Sequence, residues 1–343
     1  MTRQLPMQFH SIRDFRLRLG GVLAEARIAY LTRGRLAADG RNAILVTHGY
    51  TSGPRMIEGE ESASEGSWSA LVGPGRAIDT DRFFVVASNM LGSSFGSTNA
   101  ASTDPATGRP YGSRFPELTV SDIVAAQKQL LDALGVRELI AVVGPSYGGF
   151  QAFQWAVDFP TAMRGIVPVV TALRSPVARV EPLLARLAAD PNWNGGDYYD
   201  RGGVAETLTT LRIETLKGYG LEAKLAERFP DPAPRAAELA RIARGWAEQF
   251  DANSLVILRK AMGRYDVASR LGAIRARVMY VLSSTDTLFP PSLAPEVMGA
   301  LEAAGVRADY VALESAFGHM ASGLDGAKWA PSLRRFLDEI ASG

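Results

Sequence analysis

The chain has 343 residues, of which 47% are hydrophobic and 21% charged, an ordinary composition for a globular protein. Its 37 lysines and arginines offset 36 acidic residues, and the net charge of +1 argues against a dedicated nucleic-acid-binding protein. The absence of cysteine excludes disulfides, a cysteine nucleophile and thiolate-bound metals. The three histidines, His10, His48 and His319, are too few for a typical multi-histidine metal site.

The N-terminal segment contains no apolar stretch of signal-peptide length. No run in the chain approaches the roughly 18 apolar residues that a membrane helix requires. We therefore expect a cytoplasmic protein that binds neither membranes nor nucleic acids.

Short apolar runs alternate with helical patterns along the chain. The first run alternates in polarity and predicts an antiparallel entry strand, whereas the later runs are continuously apolar, as in parallel strands buried on both faces. This order predicts an α/β fold with a mostly parallel central sheet flanked by helices. The predicted strands are residues 22–31, 43–47, 83–88, 138–143, 165–170, 277–283 and 308–313, and the predicted helices are residues 120–135, 150–160, 291–305 and 329–341.

Residues 171–276 interrupt this alternation. They are rich in arginine, alanine, leucine and glutamate and have mostly helical patterns. We expect a helical lid or cap here, inserted into a core domain formed by residues 1–170 and 277–343. Such an insertion should lie over the carboxyl ends of the strands, where α/β sheets bind ligands. A peripheral helical subdomain without a role in the site is the alternative.

The segment Gly144–Gly148 fits the pattern G-x-S-x-G around Ser146. In a nucleophile elbow this serine lies at a sharp turn between a strand and a helix, which exposes its hydroxyl at the top of the sheet. Ser146 has an apolar run before it and a helical pattern after it, so we predict that it is the nucleophile. Residues 92–96, centred on Ser94, fit the same pattern but are followed by loop-forming residues.

The general base and its acid follow from their order along the chain. In enzymes with such a nucleophile elbow, the nucleophile is followed along the chain by an acid and then by a histidine. His319 is the one histidine after Ser146. Asp286 directly follows a predicted strand and would fix the imidazole tautomer and stabilise the imidazolium. Glu314, which also follows a strand, is the alternative acid.

His48 and Gly49 follow an early predicted strand and mark a loop that can supply an oxyanion donor. We expect the donors to be the backbone N–H groups of Tyr50 and of Tyr147, the residue after the nucleophile. His48 is expected to brace this loop rather than to act as the base.

Several long segments carry a family resemblance. They are GPSYGGFQAFQWAVDFP (144–160), DPNWNGGDYY (190–199), QFDANSLVIL (249–258), STDTLFPP (284–291) and residues 88–135. With these segments the chain resembles the homoserine O-acetyltransferases, α/β-hydrolase-fold enzymes that acylate a hydroxyl amino acid from acetyl-CoA. The resemblance implies the same triad, Ser146, Asp286 and His319.

The resemblance also implies a pocket for the acceptor amino acid. Thr51, Arg212 and Tyr219 match family residues that bind this acceptor. The family has an aspartate directly after the catalytic histidine, where it meets the substrate ammonium, but this chain has Met320. An ammonium buried without a carboxylate costs several kcal/mol, so amino-acid acceptors should bind poorly.

We therefore expect a serine-dependent carboxylic ester hydrolase that acts on short acyl esters, such as acetates, through an acyl-enzyme. The alternative is a CoA-dependent O-acyltransferase such as a homoserine O-acetyltransferase, in which acetyl-CoA would be a co-substrate. A non-enzymatic scaffold of the same fold is a further alternative. No metal or bound cofactor is implied, and the resemblance suggests a homodimer that associates through the helical insertion.

Overall fold

The computed structural model describes residues 4–59, 67–176 and 179–342. Eight strands of these residues form one sheet, and two shorter strands pair separately. In chain order the strands are β1 (Gln8–Arg16), β2 (Val22–Arg33), β3 (Ala43–Thr47), β4 (Val72–Gly73), β5 (Ile78–Asp79), β6 (Phe84–Ser88), β7 (Leu139–Pro145), β8 (Met163–Val169), β9 (Arg277–Ser283) and β10 (Ala308–Leu313).

The large sheet has the order β1-β2-β6-β3-β7-β8-β9-β10. β1 and β2 form an antiparallel pair, and β2 is antiparallel to β6. From β6 to β10 every neighbouring pair is parallel. The predicted α/β fold with a mostly parallel central sheet is therefore confirmed. β3 and β7 lie in its centre and are buried along their whole length, which explains their uninterrupted apolar sequences.

Helices cover both faces of this sheet. In chain order they are α1 (Val120–Ala133), α2 (Tyr147–Asp158), α3 (Glu181–Ala188), α4 (Ala205–Gly218), α5 (Leu221–Arg228), α6 (Pro232–Ala247), α7 (Ala252–Gly263), α8 (Ala294–Ala303), α9 (Ala321–Leu324) and α10 (Gly326–Ser342). Among the helices of the described residues, none is both long and apolar enough to span a membrane.

Successive strand residues enter two different apolar clusters. Leu45 and Val142 pack with α1, α2 and α8, whereas their neighbours Val46 and Val143 pack with α10. Side chains of a strand alternate between the two faces of a sheet, so the two clusters are the two sides of the core.

The main differences from the predicted elements occur at one edge and at the nucleophile turn. β1 was not predicted, because most of its side chains are exposed and it lacks an apolar run. α2 begins at Tyr147 rather than at residue 150, because two glycines at its start hide the helical pattern. The predicted bounds of β3, β9 and β10 are confirmed.

The segment between β8 and β9 contains α3 to α7. α4, α5 and α6 share an apolar cluster with the residue after His319, and we call it the cap cluster: Leu216, Tyr219, Leu221, Leu239, Ala243 and Met320. By contrast, the second half of α7 packs into the main core through Ile257, Leu258, Ala261 and Met262. The end of the predicted insertion thus contacts the sheet domain directly, and the exact division into two domains stays a prediction.

Candidate active site

Ser146 lies between β7 and α2 in a strained backbone conformation, with φ of 56° and ψ of −119°. The turn also brings this segment against Thr47 at the end of β3. A Cβ atom on Gly144 would lie 2.1 Å from Thr47 Oγ1, and one on Gly148 would lie 2.7 Å from Thr47 O. These contacts require glycine on both sides of Ser146, as in a nucleophile elbow.

Ser94, the other serine that fits the motif, lies in a loop after β6. Its Oγ accepts a hydrogen bond of 2.9 Å from the backbone N–H of Asp251, at the start of α7. The serine therefore ties this loop to the helix, and it has no strand–turn–helix geometry around it.

His319 and Asp286 form a buried pair. The imidazole Nδ1 donates to Asp286 Oδ2 over 2.7 Å. The other carboxylate oxygen accepts from the backbone N–H groups of Leu288 and Phe289, at 2.8 and 3.1 Å. With the proton on Nδ1, a neutral imidazole keeps its lone pair on Nε2, and this buried atom has no hydrogen-bond partner among the described residues. Glu314, by contrast, is exposed.

Two aromatic rings hold the His319 imidazole. Tyr219, at the end of α4, lies 4.7 Å away between ring centroids. Phe289 stacks at 5.6 Å with an interplanar angle of 29°. The sequence prediction missed Phe289, although its position three residues after Asp286 was a usable signal. A residue of the segment between β8 and β9 thus contacts the imidazole.

Tyr50 and Tyr147 lie side by side. Their rings stack at 6.2 Å with an interplanar angle of 11°. The Tyr50 hydroxyl donates to Leu255 O over 2.6 Å, and the Tyr147 hydroxyl donates to Leu258 O over 3.3 Å. Burial raises the pKa of both phenols, so both remain neutral donors. As the first residue of α2, Tyr147 has a backbone N–H without a partner inside the helix.

His48 links the loop that carries Tyr50 to its surroundings. Its Nδ1 lies 2.8 Å from Gly49 O, and its Nε2 lies 2.9 Å from Asn89 Oδ1. The backbone carbonyl of His48 accepts from Gln151 Nε2 on α2, at 3.1 Å. Nδ1 thus contacts the loop that carries His48 itself, and Nε2 contacts the residue directly after β6.

Thr51 and Arg212 come together beside this loop. Arg212 Nη1 donates to Thr51 Oγ1 over 2.8 Å, although the two residues are 161 positions apart. The guanidinium is 5.0 Å from the Trp246 ring centroid, and Trp246 Nε1 donates to Thr51 O over 2.9 Å. Arg212 is 2% exposed, so its charge lies inside the protein. Trp246 was not predicted as a neighbour of these residues.

Met320 directly follows His319 and is 3% exposed. It packs in the cap cluster against apolar residues of α4, α5 and α6. A carboxylate at this position would enter an apolar environment.

Comparisons with known proteins identify the fold and the family of this chain. The family model of the alpha/beta hydrolase fold matches residues 42–322. The homoserine O-acetyltransferase of Geobacter sulfurreducens is 36% identical, and the alignment covers 96% of each chain. That of Symbiobacterium thermophilum is 38% identical over 94% of this chain and 92% of the relative. The chain belongs to the homoserine O-acetyltransferase-like family of α/β-hydrolases.

Solved structures that are similar to this chain include both esterases and transferases. The crystal structure of esterase E22 superimposes with a TM-score of 0.87 at 25% identity, covering 97% of this chain and 100% of that one. The homoserine O-acetyltransferase from Bacillus anthracis superimposes with a TM-score of 0.86 at 25% identity, covering 98% of each chain. This family member is therefore an enzyme, either a hydrolase or an O-acyltransferase.

Proposed function

We propose that the enzyme is a serine-dependent carboxylic ester hydrolase for short, acetyl-type acyl groups. In the first step Ser146 Oγ attacks the ester carbonyl while His319 Nε2 takes the hydroxyl proton. Asp286 stabilises the resulting imidazolium, and the backbone N–H groups of Tyr50 and Tyr147 stabilise the oxyanion. The C–O bond to the leaving alcohol breaks, and the alcohol departs with the proton from His319.

In the second step water attacks the acyl-enzyme. His319 takes a proton from the water, and the tetrahedral intermediate again places its oxyanion between the same two amides. Breakdown releases the carboxylic acid and returns the proton to Ser146 Oγ. The reaction requires neither a metal nor a bound cofactor.

The observation that favours water as the acceptor is the apolar environment of Met320. An amino-acid acceptor carries an ammonium group, which needs a carboxylate partner when it is buried. At the position next to His319 it would meet a thioether and the leucines of the cap cluster. Water and neutral alcohols have no such requirement.

A second candidate is a CoA-dependent O-acyltransferase, with acetyl-CoA as co-substrate and homoserine as the first acceptor to test. The buried contact between Arg212 and Thr51 favours it, because a guanidinium held inside the protein suits a substrate carboxylate. The names of the curated relatives favour it as well. In this candidate Thr51, Arg212 and Tyr219 would bind the acceptor.

One incubation distinguishes the two candidates. The purified chain is mixed with acetyl-CoA, homoserine and ethyl acetate, and all products are identified by mass spectrometry. Hydrolysis predicts acetate and ethanol, with homoserine unchanged. O-acetylhomoserine formed at the expense of acetyl-CoA would instead establish the transferase. If Ser146→Ala left either activity intact, the acyl-enzyme mechanism would be wrong.

A further inference from the structure

Arg259 lies on the face of α7 that covers the two stacked tyrosines. The carbonyls of Leu255 and Leu258 on this helix accept from the hydroxyls of Tyr50 and Tyr147. Residues four apart share one helix face, so Arg259 follows Leu255 along this contact. Its Cζ is 6.0 Å from the centroid of the Tyr50 ring. The guanidinium therefore borders the residues proposed to hold the oxyanion.

Arg259 has no counter-charge among the described residues. Its side chain is half-buried, and its Nε is fully buried without a hydrogen-bond partner there. The next two cations along the chain, Lys260 in α7 and Arg264 directly after it, both pair with Glu117. Arg277 also has a buried Nε without a partner, but its terminal nitrogens bind two carboxylates, Asp309 and Glu339.

A buried Nε–H without an acceptor is costly, because burial removes the water that this donor would otherwise bind. The planar fork of a guanidinium fits carboxylates and phosphates, which can accept two parallel hydrogen bonds. Beside an acyl-transfer site, an anion can arrive as part of the substrate.

We propose that Arg259 binds an anionic group of the acyl donor, a carboxylate or a phosphate, and so selects acidic donors over neutral ones. This inference rests on the proposed acyl-enzyme function. The anion can belong to the acyl group, as in a half-ester of a dicarboxylic acid. It can also belong to the leaving group, as in the phosphates of coenzyme A.

Two pairs of donors distinguish these sources. Mono-4-nitrophenyl succinate against 4-nitrophenyl acetate tests an anion in the acyl group. Acetyl-CoA against S-acetyl-N-acetylcysteamine tests an anion in the leaving group. In each pair, the kcat/KM of the anionic donor is divided by that of the neutral donor. For the pair that carries the anion at the right place, Arg259→Gln should lower this ratio by about tenfold or more, the usual effect of a lost charge-assisted hydrogen bond. Arg259→Lys should retain part of this ratio.

Lys260→Gln is the matched control. It removes the neighbouring positive charge on the same helix, and this charge already pairs with Glu117. The ratios should stay at the wild-type value in this variant. An equal fall in Lys260→Gln, or equal losses on anionic and neutral donors in Arg259→Gln, would overturn the inference.

Binding separates this inference from the proposed function. Titration calorimetry measures the affinity for succinate and for coenzyme A without turnover. Both Arg259 and the Arg259→Gln change are compared in the Ser146→Ala variant. If the wild-type enzyme does not hydrolyse neutral esters, the proposed function is wrong. Weaker anion binding to the Arg259→Gln variant would still support the role of Arg259. If neither anion binds more tightly with Arg259 than without it, the inference fails.

Discussion

At the scale of single residues, the site depends on how His319 is held. Asp286 accepts the Nδ1 proton, and two backbone N–H groups fix the carboxylate in turn. Phe289 and Tyr219 restrict the ring from two other directions. The sequence order of nucleophile, acid and base pointed to these residues, but the aromatic contacts come from different parts of the chain.

Asp286→Asn should lower kcat on order of 10³- to 10⁴-fold, because an amide no longer holds Nδ1 as the protonated nitrogen. Ester hydrolysis by the purified variant measures the effect. Glu314→Gln is the matched control, since Glu314 is exposed and its change should leave kcat within about twofold of the wild type. The reverse ranking of the two variants would make Glu314 the acid.

Met320→Asp should raise transfer to homoserine relative to hydrolysis, because it supplies a carboxylate for the acceptor ammonium. It should also lower the melting temperature, since the new charge enters the cap cluster. The ratio of O-acetylhomoserine to acetate measures the first effect. Met320→Leu keeps an apolar side chain and should leave the ratio unchanged; an unchanged ratio in Met320→Asp would place acceptor selectivity elsewhere in the site.

At the scale of elements, the nucleophile turn depends on close approach between β3, β7 and α2. Thr47 Oγ1 donates to Gly148 O over 2.9 Å, and Thr171 Oγ1 donates to Ser146 O over 2.9 Å. Glycines at the turn leave room for these contacts. The same glycines weakened the helical pattern in the sequence, which explains why the start of α2 was predicted three residues too late.

Gly148→Ala should lower the free energy of unfolding by about 1–3 kcal/mol, because the new methyl group would lie 2.7 Å from Thr47 O. Urea denaturation measures this change. Gly245→Ala, in α6, is the control, since a Cβ atom there meets nothing within 4 Å and alanine is the better helix former. Equal stability of the two variants would contradict this account of the turn.

The short β4–β5 pair carries a pH-dependent contribution to stability. The backbone N–H groups of Asp81 and Gly75 hold the pKa of Asp79 below its ordinary value. A lowered folded-state pKa stabilises the fold above the unfolded value of about 4, and this stabilisation is lost as the pH falls through the folded-state pKa.

Asp79→Asn should therefore lower the melting temperature at pH 7, and its difference from the wild type should shrink below about pH 4. Thermal unfolding across this pH range provides the measurement. Asp81→Asn is the control, since it changes an exposed carboxylate but keeps the backbone N–H that Asp79 accepts from, and its melting temperature at pH 7 should stay near that of the wild type. A difference that grows on acidification would have the wrong sign for this mechanism.

At the scale of the whole molecule, the chain between β8 and β9 completes the site. Tyr219 reaches the imidazole, Arg212 reaches the loop after β3, and Met320 of the core packs into the cap cluster. The contact between Arg212 and Thr51 joins residues 161 positions apart in the chain. The choice of acceptor is therefore expected to depend on this segment, whereas Ser146, Asp286 and His319 lie in the turns and loops that follow strands of the sheet.

The resemblance to the transferases predicts a homodimer. Light scattering of the purified chain should give a mass twice the 36.8 kDa of one chain. A monomeric mass at micromolar concentration would contradict this prediction without affecting the proposed chemistry.

The amino-acid sequence alone determined the α/β class, the bounds of several strands, and the candidate residues Ser146, Asp286 and His319. Apolar runs, turn glycines and the order of motifs are local signals, so they can be recognised along the chain. The tertiary structure decided which distant side chains meet: the stack of Tyr50 on Tyr147, the Arg212–Thr51 contact, and Arg259 over the Tyr50 ring. Such contacts depend on how helices pack over a sheet, and residue spacing along the chain does not encode them separately.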